Sequence, residues 1–91
     1  MTDKVKNLFE KEKRTLKNEI ETILSSDVTL IRRPAFDRGL TALGVLRGYS
    51  EAFYAGDIIT FEEQIAEDHD RIYLLLELYD AYYKPKVGDE D

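Results

Sequence analysis

The chain has 91 residues, which is enough for one small domain, and its 43% apolar and 35% charged residues supply both a core and a polar surface. The absence of cysteine excludes a disulfide framework and a thiolate metal site, and it fits the reducing cytoplasm, where we expect the protein to reside. We expect no membrane association or secretion, because no apolar run approaches the roughly 20 residues of a membrane span and the N-terminus lacks the apolar core of a signal peptide.

The net charge argues against direct binding of nucleic acid. The formal charge is -6, and a protein that binds phosphates needs cations to replace their counterions. The charge is also unevenly distributed: residues 1–47 hold 10 basic and 7 acidic side chains, whereas residues 48–91 hold 3 basic and 12 acidic ones. The acidic half is therefore the part that would meet a basic partner.

The first predicted helix covers residues 2–25. Its apolar side chains recur at spacings of three and four, as one face of an amphipathic helix requires. They are Val5, Leu8, Phe9, Leu16, Ile20, Ile23 and Leu24. Residues 26–33 are predicted to form a connection, because Pro34 disfavours helical geometry at the preceding residue. We expect Val28, Leu30 and Ile31 to pack this connection against the core.

The second predicted helix runs from Pro34 or Asp37 to Ala55. One broad side is apolar, and it comprises Phe36, Ala42, Leu43, Leu46, Tyr49 and Phe53. The opposite side contains Gly44 and Gly48, each of which costs about 1 kcal/mol relative to alanine inside a helix. We interpret this pair as a place where another helix approaches closely. That helix is either the first helix of the same chain or a helix of another chain.

A tight turn and a third helix follow. Gly56 and Asp57 are typical of a helix stop, and Thr60 with Glu63 has the spacing of a capping box. The predicted third helix covers residues 61–83, with a seam in alternating four-three spacing that should pack against the second helix as an antiparallel hairpin. The predicted seam consists of Ile65, His69, Ile72, Leu76, Tyr79 and Tyr83, and Leu75, Leu78 and Tyr82 are predicted to widen the apolar face near the end of the helix.

These elements predict an all-α fold, either a three-helix bundle or a helical hairpin with a packed N-terminal helix. Residues 1–83 would form one helical domain. Residues 84–91 would form a mobile acidic tail, because Pro85 ends the helix and the polar residues that follow have nothing to bury.

No catalytic residue, cofactor site or metal site is predicted. The lone His69 is interpreted as a partly buried core residue. The carboxylates of Glu63, Glu67 and Asp70 share a helix face, and the spacing of Glu67 and Asp70 resembles half of the acidic signature of all-helical nucleotide pyrophosphatases. No upstream Glu-x-x-Glu completes that signature, so a small metal-dependent helical enzyme is the weakest hypothesis.

Two surfaces remain as candidate binding sites for another protein. Tyr73, Tyr79, Tyr82 and Tyr83 crowd the end of the third helix, where they either complete the core or form a contact surface. The leading hypothesis is a non-enzymatic helical interaction module or regulator, with self-association as a homodimer, that uses these rings or the face of Gly44 and Gly48. The alternative is an inhibitor that presents Glu63, Glu67 and Asp70 in place of phosphates to the basic groove of a nucleic-acid-processing enzyme, as phages use against host defences.

Overall fold

The protein is an all-α bundle of three helices packed around one apolar core, as predicted. The computed structural model describes residues 1–84, which form α1 (Asp3–Ser25), α2 (Thr29–Ala55) and α3 (Phe61–Tyr83). The predicted tail, residues 84–91, lies outside the described residues except for Lys84. The Lys84 amide donates to the Asp80 carbonyl at 3.0 Å and so closes the last turn of α3.

The face that α1 buries follows its apolar periodicity, with one exception. The hydroxyl of Thr2 accepts a hydrogen bond from the Val5 amide and caps the start of the helix. The buried positions then recur every three or four residues: Phe9, Lys13, Leu16, Ile20 and Ile23. The one charged member of this stripe is Lys13, which the apolar pattern does not identify.

The predicted connection over residues 26–33 is wrong, because α2 begins at Thr29 and only residues 26–28 separate the first two helices. Pro34 lies within α2 and removes one amide donor from it. An amide at position 34 would donate a hydrogen bond to the Leu30 carbonyl. Leu30 is 86% exposed, so water can donate to that carbonyl instead. The expected packing of the connection is also wrong, because Val28, Leu30 and Ile31 are all exposed.

The predicted apolar side of α2 is confirmed, but the position of its close helix contact is not the predicted one. Phe36, Ala42, Leu43 and Leu46 are buried in the core. Gly39 is the glycine at the contact, because a Cβ there would lie 2.9 Å from both methyl carbons of Leu78 and 3.3 Å from Leu16.

The turn between α2 and α3 is confirmed in detail. The Asp57 amide donates to the Tyr54 carbonyl, and the Ile58 amide donates to the Phe53 carbonyl, as in a Schellman motif. Asp57, rather than Gly56, adopts the left-handed backbone conformation, with φ of 58°. The capping box is also present, since Glu63 and Thr60 bond each other's backbone amides through their side chains.

The predicted seam of α3 is wrong. Its six side chains are exposed, and the helix instead buries Leu74 and Leu78, with Leu75, Ala81 and Tyr82 partly buried beside them. The side chains predicted only to widen the face, Leu75, Leu78 and Tyr82, are thus among those that pack in the core. His69 is exposed too, so its interpretation as a core residue does not hold. Because α3 carries apolar side chains on two sides, burial of one side leaves the other in solvent.

Candidate functional site

The largest run of exposed apolar side chains in the described chain follows the solvent side of α3. Six of them make up a surface that we call the outer face of α3: Phe61, Ile65, Ile72, Leu76, Tyr79 and Tyr83. Leu76 is 61% exposed, whereas Leu78, two residues later on the opposite side, is fully buried. A second exposed apolar group, consisting of Leu24, Val28, Leu30 and Ile31, surrounds the connection between α1 and α2.

The tyrosines at the end of α3 divide between core and surface. Tyr82 stacks on the buried ring of Phe36, with ring centroids 4.2 Å apart, while Tyr79 and Tyr83 meet Phe36 edge-on at 5.3 and 5.6 Å. Tyr73 lies outside this cluster and is 68% exposed. Three of the four predicted tyrosines therefore help to complete the core, and Tyr79 and Tyr83 also present part of each ring to solvent.

Two grooves border the outer face. The first, of about 640 Å³, is open and shallow and runs along the last turns of α3 past Tyr73, Leu76 and Tyr83. The second, of about 310 Å³, lies between α2 and α3, where Gly44, Arg47 and Ile72 contribute to its walls. The outer face is thus bordered by space that can accept side chains from outside.

Gly44 and Gly48 do not pack against another helix of this chain. Among residues 1–84, no atom beyond the neighbouring residues and the local backbone of α2 comes within 4 Å of a Cβ placed at either position, and both residues are exposed. The interpretation of the pair as an internal helix contact is therefore wrong. Gly44 instead widens the groove beside Ile72, whereas Gly48 does not line it.

The predicted acidic surface is engaged by cations of the same chain. Lys13 Nζ lies 2.7 Å from Glu67 Oε1 and 2.8 Å from Asp70 Oδ2, and the Lys13 side chain is only 9% exposed. Burial alone would lower the pKa of Lys13, but the hydrogen bonds and charges of Asp70 and Glu67 outweigh burial and raise that pKa. Sequence reasoning missed Lys13, although its position between Phe9 and Leu16 continues the buried stripe of α1.

Two further acidic side chains in the first half of α3, Glu63 and Asp68, also have partners. The N-terminal ammonium group lies 2.6 Å from Glu63 Oε2, and this hydrogen bond, followed by that from the Thr60 amide, lowers the pKa of Glu63. Asp68 accepts a hydrogen bond from the buried hydroxyl of Ser50 at 2.8 Å and pairs with Arg71 at 3.2 Å. Among residues 1–84, no group of three or more histidine, aspartate or glutamate side chains could hold a metal ion.

Arg32 joins the beginning of α2 to the end of α3. One guanidinium nitrogen donates to the carbonyls of Ala81 and Tyr82, at 3.0 and 3.2 Å, and the guanidinium also lies over the Tyr82 ring. A cation at the C-terminal end of a helix is favourable because the last carbonyls lack amide partners. Arg32 therefore fixes the tyrosine end of the bundle, a role that the sequence pattern does not indicate.

Comparisons of the chain with protein-family models, with curated proteins and with solved structures found no significant match. Across the part of the chain that the structure describes, none of the helices is sufficiently long and apolar to span a membrane.

Proposed function

We propose that this protein is a non-enzymatic helical interaction module that binds another protein through the outer face of α3. The observation that carries the proposal is that α3 is apolar on two sides and buries only one of them within the chain. An exposed face of this kind costs solubility, and large apolar patches on folded proteins are typical of interaction surfaces. The adjoining grooves and the two partly exposed rings supply the shape and the aromatic anchors of such a surface.

The alternative, an acidic mimic of nucleic acid, has less support. Such a mimic needs carboxylates free to meet the cations of its partner. Glu67 and Asp70 share Lys13, and Glu63 faces the N-terminal ammonium group, so two cations of the same chain offset part of the charge of these three carboxylates. The ion pairs of these acidic side chains therefore stabilise the bundle itself, and they leave less negative charge free to meet a partner.

The proposal is tested by capture of partner proteins from the source cells with the immobilised chain, using two matched variants. Leu76 and Leu24 are almost equally exposed, at 61% and 60%, but Leu24 lies on α1 and lines neither groove. Leu76→Glu should abolish capture and Leu24→Glu should retain it, with little dependence on salt because the contact is apolar.

Capture that is equal for both variants would contradict a role for the outer face. Capture that instead falls steeply with salt and is lost on Glu67→Lys would favour the acidic mimic. As a control, the far-UV circular dichroism of each variant should match that of the wild type, which would show that the helices remain folded.

A further inference from the structure

We propose that the outer face of α3 binds the same face of a second copy of this chain, with the two α3 helices antiparallel and centred near Ile72. This inference rests on the proposed function and names the partner. Three properties of the face favour a second copy: its area, its spacing and its charge.

The exposed area is suited to a small symmetric dimer. The six side chains of the outer face are 41–64% exposed. At roughly 200 Å² for each large side chain, they offer roughly 600 Å² of apolar surface per copy. A standard interface buries about 800 Å² per partner, which the polar side chains along the edges of the face can supply. In an isologous dimer each copy contributes the same surface, so the buried area is twice that of one outer face and no second apolar surface is needed.

The spacing of the outer face is that of a helix pairing with another helix. From Ile65 to Tyr83 its members alternate at four and three residues, with the exposed His69 at the remaining position of the pattern. This is the repeat that places side chains into the holes of a facing helix. The stripe extends from Phe61 to Tyr83, so the antiparallel pairing with greatest overlap puts the two-fold axis near Ile72, where Gly44 opens the adjoining groove.

The ends of α3 favour the antiparallel orientation. α3 begins with Glu62 and Glu63 and carries no basic residue in its last turn, whereas the next residue is the exposed Lys84. A parallel pair would bring Glu62 of one copy beside Glu62 of the other. The antiparallel pair instead places the acidic start of each α3 level with the end of its partner's α3, where Lys84 and Asp80 pair with 3.9 Å between their charged groups, and it opposes the two helix dipoles.

The test is the molar mass of the full chain in solution, by light scattering and sedimentation equilibrium at micromolar concentration. We expect the wild type and Leu24→Glu to form dimers of the 10.6 kDa chain. Leu76→Glu should weaken dimerisation by at least about 30-fold, because one buried anchor is replaced by a charge in each copy. Its circular dichroism should still show a helical protein.

The orientation is tested with single cysteines, which are unique because the chain has none of its own. With a short bis-maleimide, Ile72→Cys should crosslink to itself efficiently. Ile65→Cys should not, because it lies two turns from the axis. Self-crosslinking at both positions would overturn the antiparallel arrangement.

A monomeric wild type would overturn the inference, and so would a dimer that Leu76→Glu leaves intact. The proposed function fails separately. If the wild type is monomeric but capture of a different protein is lost on Leu76→Glu, the outer face binds another partner. If the wild type is monomeric and capture is unchanged by Leu76→Glu, the inference and the proposed function both fall.

Discussion

Alanine substitutions at three glycines of α2 test the packing directly, because Gly39, Gly44 and Gly48 share one helix and differ in their surroundings. In an open helical position alanine is more stable than glycine by about 1 kcal/mol. The methyl group that alanine adds would have no neighbour within 4 Å at Gly44 or Gly48, so Gly44→Ala and Gly48→Ala should each stabilise the fold by that amount.

At Gly39 the same methyl group would lie 2.9 Å from two carbons of Leu78, a side chain that is fully buried and cannot turn aside. Overpacking a core in this way costs about 1–3 kcal/mol. After subtraction of the gain in helix propensity, Gly39→Ala should change stability by between about zero and 2 kcal/mol of destabilisation. Both variants gain the same helix propensity, so this gain cancels in their comparison. Gly39→Ala should therefore be about 1–3 kcal/mol less stable than Gly44→Ala.

The assay is urea denaturation followed by far-UV circular dichroism at one fixed protein concentration, supported by thermal unfolding. In a domain of this size, 1 kcal/mol shifts the melting temperature by about 4–8 °C. Equal destabilisation by Gly39→Ala and Gly44→Ala, with both measured in the Leu76→Glu background that weakens self-association, would refute the reasoning, because it would mean that Gly44 also lies in a tight contact within its own chain.

Two further predictions concern the charged contacts of α3. Lys13→Met should destabilise the fold by about 1–3 kcal/mol in urea denaturation, because Glu67 then lacks its cation. Adding Glu67→Met should recover most of this loss of stability. If the double variant recovers nothing, Lys13 stabilises the fold through packing alone. Glu63→Gln keeps the cap but removes the charge. Because folding lowers the pKa of Glu63, the stability it adds is present above its ordinary pKa and is lost as the pH falls through the folded pKa. The wild type should therefore melt above Glu63→Gln at neutral pH and approach it below about pH 4.3, and a constant difference would contradict this linkage.

Local signals in the sequence were sufficient for the helices and the turn. The capping box at Thr60 and the helix stop at Gly56 and Asp57 act within a few residues, so their effect does not depend on the rest of the fold. The beginning of α2 was mispredicted because Pro34 excludes an amide donor but not a helix. The hydrogen bond that Pro34 removes lies in an exposed part of α2, where water can take the place of the missing amide.

The faces of α3 could not be assigned from periodicity, since Leu74, Leu75 and Leu76 point to different sides and each side repeats at helical spacing. The choice between them depends on a tertiary contact. Glu67 and Asp70 meet Lys13 of α1, and Leu74 and Leu78 are buried, so the stripe of Ile65, Ile72 and Leu76 lies in solvent. Lys13 lies within the apolar stripe of α1 and could have indicated that the acidic side of α3 faces α1. A pattern based on hydrophobicity alone treats this lysine as an interruption of the stripe.

The up-down-up course of the helices has a consequence for protein engineering. Met1 contacts Glu63 at the start of α3, whereas Lys84 directly follows the last residue of α3, so about the length of that helix, about 32 Å at roughly 1.5 Å per residue, separates residues 1 and 84. Many domains tolerate circular permutation because their termini are adjacent. Here a permutant that joins residue 84 to residue 1 needs a bridge of about 10 extended residues. Groups fused directly to residues 1 and 84 will instead remain far apart.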